Sequence, residues 1–165
     1  QAIKSWHEIA SHAKNRGIEE IFWEPMSISR EFGETIDEAI DLNNELNKNS
    51  PLPFSMCLDV DHGDVTSENS DDTNPYIWLK HFAKESPMIH LKQSLENKGG
   101  HWPFTDEYNK IGKIKPDKII NLLKELSINE CDLILELSFR EREPFDSNAL
   151  DTLTESVKYW NKYLD

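Results

Sequence analysis

Basic residues are scarce in this sequence. Eighteen lysines and arginines face 31 aspartates and glutamates, a formal charge of −13. Such a chain repels a phosphodiester backbone, which sets nucleic acid aside as a partner. Cysteine is scarcer still. Cys57 and Cys131 have no metal-knuckle spacing, and both sit in apolar, strand-like runs. They predict buried free thiols in a reducing cytoplasm. No apolar run approaches the roughly 20 residues of a membrane span, and no basic-then-apolar leader is present. What remains is the composition of one globular domain, 37% hydrophobic and 30% charged over 165 residues.

The acidic residues cluster. Asp61, Asp64, Glu68, Asp71 and Asp72 crowd one stretch, which predicts a solvated acidic loop. Around it, helical and strand patterns alternate. Residues 2–15 place Ile3, Trp6, Ile9, Ala10 and Ala13 at helical spacing, stopped by Gly17. Residues 18–27 give a short strand signal. Thr35 and Glu38 form a capping box for a helix that buries Ile36, Ala39 and Ile40. Strand patterns follow at 54–60, 88–93 and 132–139, with helices predicted at 75–83, from Pro116, and along Leu150, Leu153, Val157, Trp160 and Leu164.

The order α-β-α-β-α-β-α-β-α predicts a parallel sheet covered by helices. In the last strand Leu133, Leu135 and Leu137 alternate with Ile134, Glu136 and Ser138. A polar face at the C-terminal end of such a strand is where barrels and switch-point sheets place their sites. Glu24, Asp59, His90 and Glu136 each fall late in one of four successive strands. Parallel neighbours lie about 4.8 Å apart, so four such side chains can converge on one ion. Three carboxylates and an imidazole suit Mn²⁺, with Mg²⁺, Co²⁺ or Zn²⁺ as alternatives.

The motifs Trp23-Glu24-Pro25-Met26, Leu58-Asp59-Val60-Asp61-His62, Ile89-His90-Leu91-Lys92-Gln93 and Leu135-Glu136-Leu137-Ser138 resemble strands five to eight of the xylose-isomerase-like TIM barrels. That superfamily contains ketose 3-epimerases, sugar-phosphate isomerases and endonuclease-IV-like enzymes. Lys92-Gln93-Ser94, residues 99–105 and residues 138–144 look like its erythrulose-1-phosphate 3-epimerase-like branch. The resemblance implies an α/β chain forming the C-terminal half of a (β/α)8 barrel, one domain over residues 1–165. It implies a metal held by Glu24, Asp59, His90 and Glu136, with Glu24 and Glu136 as the proton-transfer pair. His62 matches a histidine that contacts substrate oxygen. Two departures stand out: Lys92 and Gln93 occupy the region of an expected sugar-binding arginine, and Glu31 is one position off an expected substrate glutamate.

The implied reaction removes a proton beside the carbonyl of a small ketose or ketose phosphate and returns one to the opposite face. An enediolate needs a cation on its oxygens, and two opposed bases spare either one from reaching both faces. Lys92, Lys98, His101, Arg140 and Arg142 lie in loops at the same rim and offer contacts to substrate or phosphate, with Gln93 beside them. The alternative for the arginines is a surface network with Glu141 and Glu143. Trp102 and Phe104 read equally as a wall over the substrate or as loop anchors.

A full barrel has eight β/α units and about 250 residues. Four strands and a first residue that is Gln1 predict a C-terminal fragment, with two associating half-barrels (a homo-oligomer) as the other expectation. The competing functions are an endonuclease-IV-like metal hydrolase and a non-catalytic half-barrel partner. The acidic charge weighs against the first, and the opposed glutamates against the second.

Overall fold

The computed structural model describes residues 1–27, 31–62, 67–95, 98–139 and 146–164. Helix α1 (Ala2–Lys14) gives way to a turn in which Gly17 adopts φ +82°, a conformation glycine takes without steric cost. It leads to strand β1 (Ile21–Trp23). Helix α2 (Ile36–Asn47) starts on the expected cap, Thr35 Oγ1 accepting from Glu38 N at 3.3 Å. Strand β2 (Phe54–Asp59) precedes helix α3 (Pro75–Phe82), which opens with Asn74 accepting from Tyr76 N at 3.0 Å. Strand β3 (Met88–Leu91) is followed by an antiparallel hairpin, β4 (Gln93–Leu95) and β5 (Lys98–Trp102). Helices α4 (Asp106–Ile111) and α5 (Pro116–Glu125), strand β6 (Asp132–Leu135) and helix α6 (Ala149–Trp160) complete the chain.

The four long-range strands form one parallel sheet in the order β1-β2-β3-β6. Alternate residues of each strand face opposite ways. Met56, Leu58, Ile89 and Leu91 point into a core shared with Trp78, Leu79, Phe82, Ile119, Leu122 and Leu123 of the covering helices. Leu133 and Leu135 pack against that core, as their alternation predicts. The α/β alternation therefore holds, with an added hairpin between β3 and the next helix.

Several expectations need correction. The first and last strands are shorter than 18–27 and 132–139, because pairing in the sheet ends at Trp23 and Leu135. The third stops at Leu91, and Gln93 opens the hairpin instead. Asp72 is not a solvated loop residue. It is buried, its Oδ1 accepting from Ile36 N at 3.0 Å and its Oδ2 from Ser67 Oγ at 2.6 Å. This fastens the acidic stretch to the start of α2. On α6 the apolar stripe is divided. Trp160 is buried against Phe104, while Leu150 is 78% exposed and Val157 is also open; the helix ends at Trp160, short of the expected Leu164. Cys57 is buried as expected, but Cys131 only half so.

Candidate metal centre

The sheet register explains how the predicted residues meet. Asp59 pairs with His90, and His90 with Ile134. One step along the same registers, Glu24 stands opposite Cys57, and Lys92 opposite Glu136. The four residues therefore do not form a level row. They run diagonally across the sheet, and their side chains still converge. One ligand atom from each of Glu24, Asp59, His90 and Glu136 lies within 4.8 Å of the other three.

His90 sits at the middle. Its Nδ1 is 3.5 Å from Glu24 Oε1 and 3.4 Å from Glu136 Oε2, while its Nε2 lies 3.3 Å from Cys57 Sγ. Asp59 uses Oδ1 to accept from Asp61 N at 2.8 Å, a backbone anchor that aims Oδ2 at the cluster. Glu24 Oε1, Asp59 Oδ2, His90 Nδ1 and Glu136 Oε2 are all buried without a well-aligned hydrogen bond. Buried polar atoms are nearly always satisfied. Four such atoms facing one point, of which Asp59 Oδ2 has the Lys92 ammonium beside it, suit a divalent cation, and a hard, oxygen-rich donor set with one imidazole fits Mn²⁺, Mg²⁺ or Co²⁺.

Each outer glutamate also has an imidazole beside it. His62 Nδ1 is 3.2 Å from Glu24 Oε1, and His101 Nε2 is 3.5 Å from Glu136 Oε2. The two histidines respond differently to their surroundings. Burial disfavours the charged form of His62, but the adjoining Glu24 and the charge of Asp59 outweigh it and leave its pKa raised. Burial and the Lys92 ammonium together lower that of His101. The Cys57 thiol, desolvated and surrounded by Glu24, Asp59 and Glu136, is pushed up to about 12. Without a metal it is a neutral neighbour of His90, and with Glu24 and His90 it forms a second group whose ligand atoms lie within 4.8 Å of one another.

Lys92 reaches the centre from the end of β3, its Nζ 3.0 Å from Asp59 Oδ2. Gln93 does not reach it. Its Nε2 donates to Asn109 Oδ1 and Ile114 O, its Oε1 accepts from Ser94 N and Ile114 N, and the side chain is wholly buried. A Cβ on Gly112 would stand 2.1 Å from the Gln93 amide carbon, so a glycine is required where the amide lodges. Gln93 is thus an internal tie of the hairpin, a correction to its expected contact with substrate.

Trp102 and Phe104 are buried, Phe104 between Tyr159 and Trp160. That favours their reading as loop anchors. Asp61 pairs with Lys113 at 2.8 Å. Arg140, Arg142, Asp64 and the Lys98 side chain lie outside the described residues. Sequence reasoning missed the contact between Cys57 and His90. The signal was present in the strand alternation, since Cys57 and Asp59 are two residues apart and share a face.

No family model matches the chain. It is 47% identical over 165 residues to D-erythrulose 1-phosphate 3-epimerase of Brucella abortus, covering 99% of this chain and 53% of that protein. A Rhodospirillum rubrum protein provisionally assigned as a xylose isomerase superposes with a TM-score of 0.84 at 20% identity, over 99% of this chain and 54% of its own. A D-tagatose 3-epimerase-like protein superposes with a TM-score of 0.61 at 16% identity, over 99% of this chain and 55% of its own. The chain spans about half the length of each of these relatives. The resemblance first seen in the strand-end motifs is therefore present along the whole chain, whose α/β fold resembles the matching half of these xylose-isomerase-like structures.

Proposed function

We propose that this chain is the metal-binding half of a ketose 3-epimerase that acts on a small ketose phosphate of the erythrulose 1-phosphate type. The observation that carries the reading is the convergence of four buried donor atoms from the ends of four neighbouring parallel strands. The 47% identity to an erythrulose-phosphate epimerase favours this chemistry over the hydrolase alternative.

Glu24, Asp59, His90 and Glu136 hold one divalent ion, Mn²⁺ best matching the donor set. When bound, the ion supplies positive charge against the oxygens of an enediolate. The residues of the chain do the rest. Glu24 and Glu136 project from the two outermost strands of the sheet, on either side of His90. One takes the proton from the carbon beside the carbonyl, and the other returns a proton to the opposite face. His62 beside Glu24 orients that carboxylate, and His62 and His101 meet substrate oxygens. Asp59 and His90 fix position, and Cys57 steadies His90 from behind, as groups behind a metal-binding imidazole do. Arg140 and Arg142 are the proposed phosphate contacts.

The sheet is proposed to be half of a (β/α)8 barrel. Among the described residues β1 and β6 each pair on one side only. Apolar side chains stand open on both edge strands, Phe22 on β1 and Ile134 on β6, and on the first and last helices, Trp6 on α1 and Leu150 and Val157 on α6. Four further β/α units would give the two edge strands and the open helix faces neighbours.

The test uses the full-length protein with Mn²⁺ and D-erythrulose 1-phosphate in D₂O, following the C3 proton by NMR. Loss of that signal at a rate set by protein concentration is the expected result. A C3 proton that persists at the uncatalysed rate would overturn the reading.

A further inference from the structure

Lys92, expected from the sequence to contact substrate, sits in a place that such a contact does not by itself explain. Its side chain is only 4% exposed, an unusual place for an ammonium unless it is paired. Its Nζ lies 3.0 Å from Asp59 Oδ2 and 3.3 Å from His101 Nε2. An ammonium has donors only. His101 Nε2 therefore presents its lone pair to Lys92, the same lone pair that a metal ion would take.

The surroundings repeat the pattern. Asp59, His62 and His101 bring one ligand atom each within 4.8 Å of one another, and His62 Nε2 is 3.8 Å from Asp59 Oδ2. Two imidazoles and one carboxylate are a common set for a transition-metal ion. This cluster adjoins the four-residue cluster and shares Asp59 with it. His62 Nδ1 is taken up by Glu24 Oε1 at 3.2 Å, which leaves its Nε2 turned towards Asp59.

We propose that the Lys92 ammonium occupies a second cation position of this centre, formed by Asp59, His62 and His101, and thereby restricts the centre to one metal ion. The inference rests on the metal reading above and deepens it. Charge supports it: three carboxylates, one divalent ion and one ammonium leave no net charge, whereas a second divalent ion in place of Lys92 would leave an excess positive charge. The fixed ammonium also cannot exchange with solution, so the space beside the first ion keeps its charge at any metal concentration. Lys92 acts through Asp59 and His101, which makes it a positioning residue.

The test is metal stoichiometry in the full-length protein, by equilibrium dialysis against Mn²⁺ with elemental analysis and by Mn²⁺ electron paramagnetic resonance. Wild type is expected to bind one Mn²⁺ per chain with the spectrum of an isolated ion. Lys92→Ala is expected to bind two, with a spectrum broadened by a neighbouring spin. Lys92→Arg, which keeps the charge, should bind one. The double variant Lys92→Ala/His101→Ala should return to one, which places the second ion. Lys92→Met keeps the apolar stem, and circular dichroism against wild type establishes that each variant scored is folded. One ion in folded Lys92→Ala and Lys92→Met, or two in wild type, would overturn the proposal. No ion in wild type would instead overturn the metal reading itself, and this inference with it.

Discussion

Neighbouring residues on β2 and β3 inhabit opposite surroundings. Met56, Leu58, Ile89 and Leu91 face the helices and are almost wholly buried among apolar side chains. Cys57, Asp59 and His90, interleaved with them, face the other way, towards carboxylates, imidazoles and an ammonium. On the first side every contact lowers the free energy of folding. On the second, carboxylates crowd together with orphaned oxygens, an arrangement that costs stability until a cation joins it. One strand thus carries the apolar core on one face and the candidate metal centre on the other, and two-residue periodicity keeps the two apart.

The separation can be broken first at the glutamates. Glu24→Gln and Glu136→Gln preserve shape but remove the base. C3 proton exchange should fall by about 10²–10⁴-fold, the usual contribution of a positioned acid or base. Thermal unfolding of the metal-free protein should hold or rise, because one like charge has gone. A glutamine variant with near-normal exchange would remove that residue from proton transfer.

The helix-facing side should answer in reverse. Leu58→Ala or Ile89→Ala opens a cavity among fully buried neighbours and should cost about 2–5 kcal/mol in denaturant unfolding. At temperatures where the variant stays folded, its exchange rate should be close to that of wild type. Equal losses of stability and of exchange at these positions would mean that the two faces are not independent.

A smaller effect is expected from pH. Burial, with Tyr163 alongside, pushes the Tyr159 phenol up to about 12. The folded chain then holds that proton where an unfolded phenol, with a pKa of about 10, has lost it. The stability this contributes is complete below about pH 10 and is lost as the pH rises towards 12. Absorbance titration should show a late-ionising tyrosine that Tyr159→Phe removes. A variant whose titration still contains the late step would reassign it.

Much of this was legible in the sequence, for reasons that differ between elements. Glu24, Asp59, His90 and Glu136 could be picked out because strand ends are marked by local patterns, and β/α units space them regularly. Thr35 and Glu38 announced the start of α2 through capping chemistry. Gln93 misled because a polar residue next to a strand-end motif looks available, whereas its partners at Asn109 and Ile114 are set by tertiary packing. Asp72 misled likewise: an acidic run reads as solvated until the helix start it caps is known. The diagonal layout of the centre depends on sheet register, which places Lys92 opposite Glu136, and no local pattern records that. The exposed face of Leu150 and Val157 shows the same limit, since periodicity marks an apolar stripe but not what covers it.

The most direct measurement is the position of anomalous scattering from Mn²⁺ in crystals of the full-length protein grown with that ion. One peak is expected within coordinating distance of Glu24, Asp59, His90 and Glu136, with the Lys92 ammonium still against Asp59 and His101. A peak among Asp59, His62 and His101 with Lys92 displaced, or no peak at the strand ends, would contradict it.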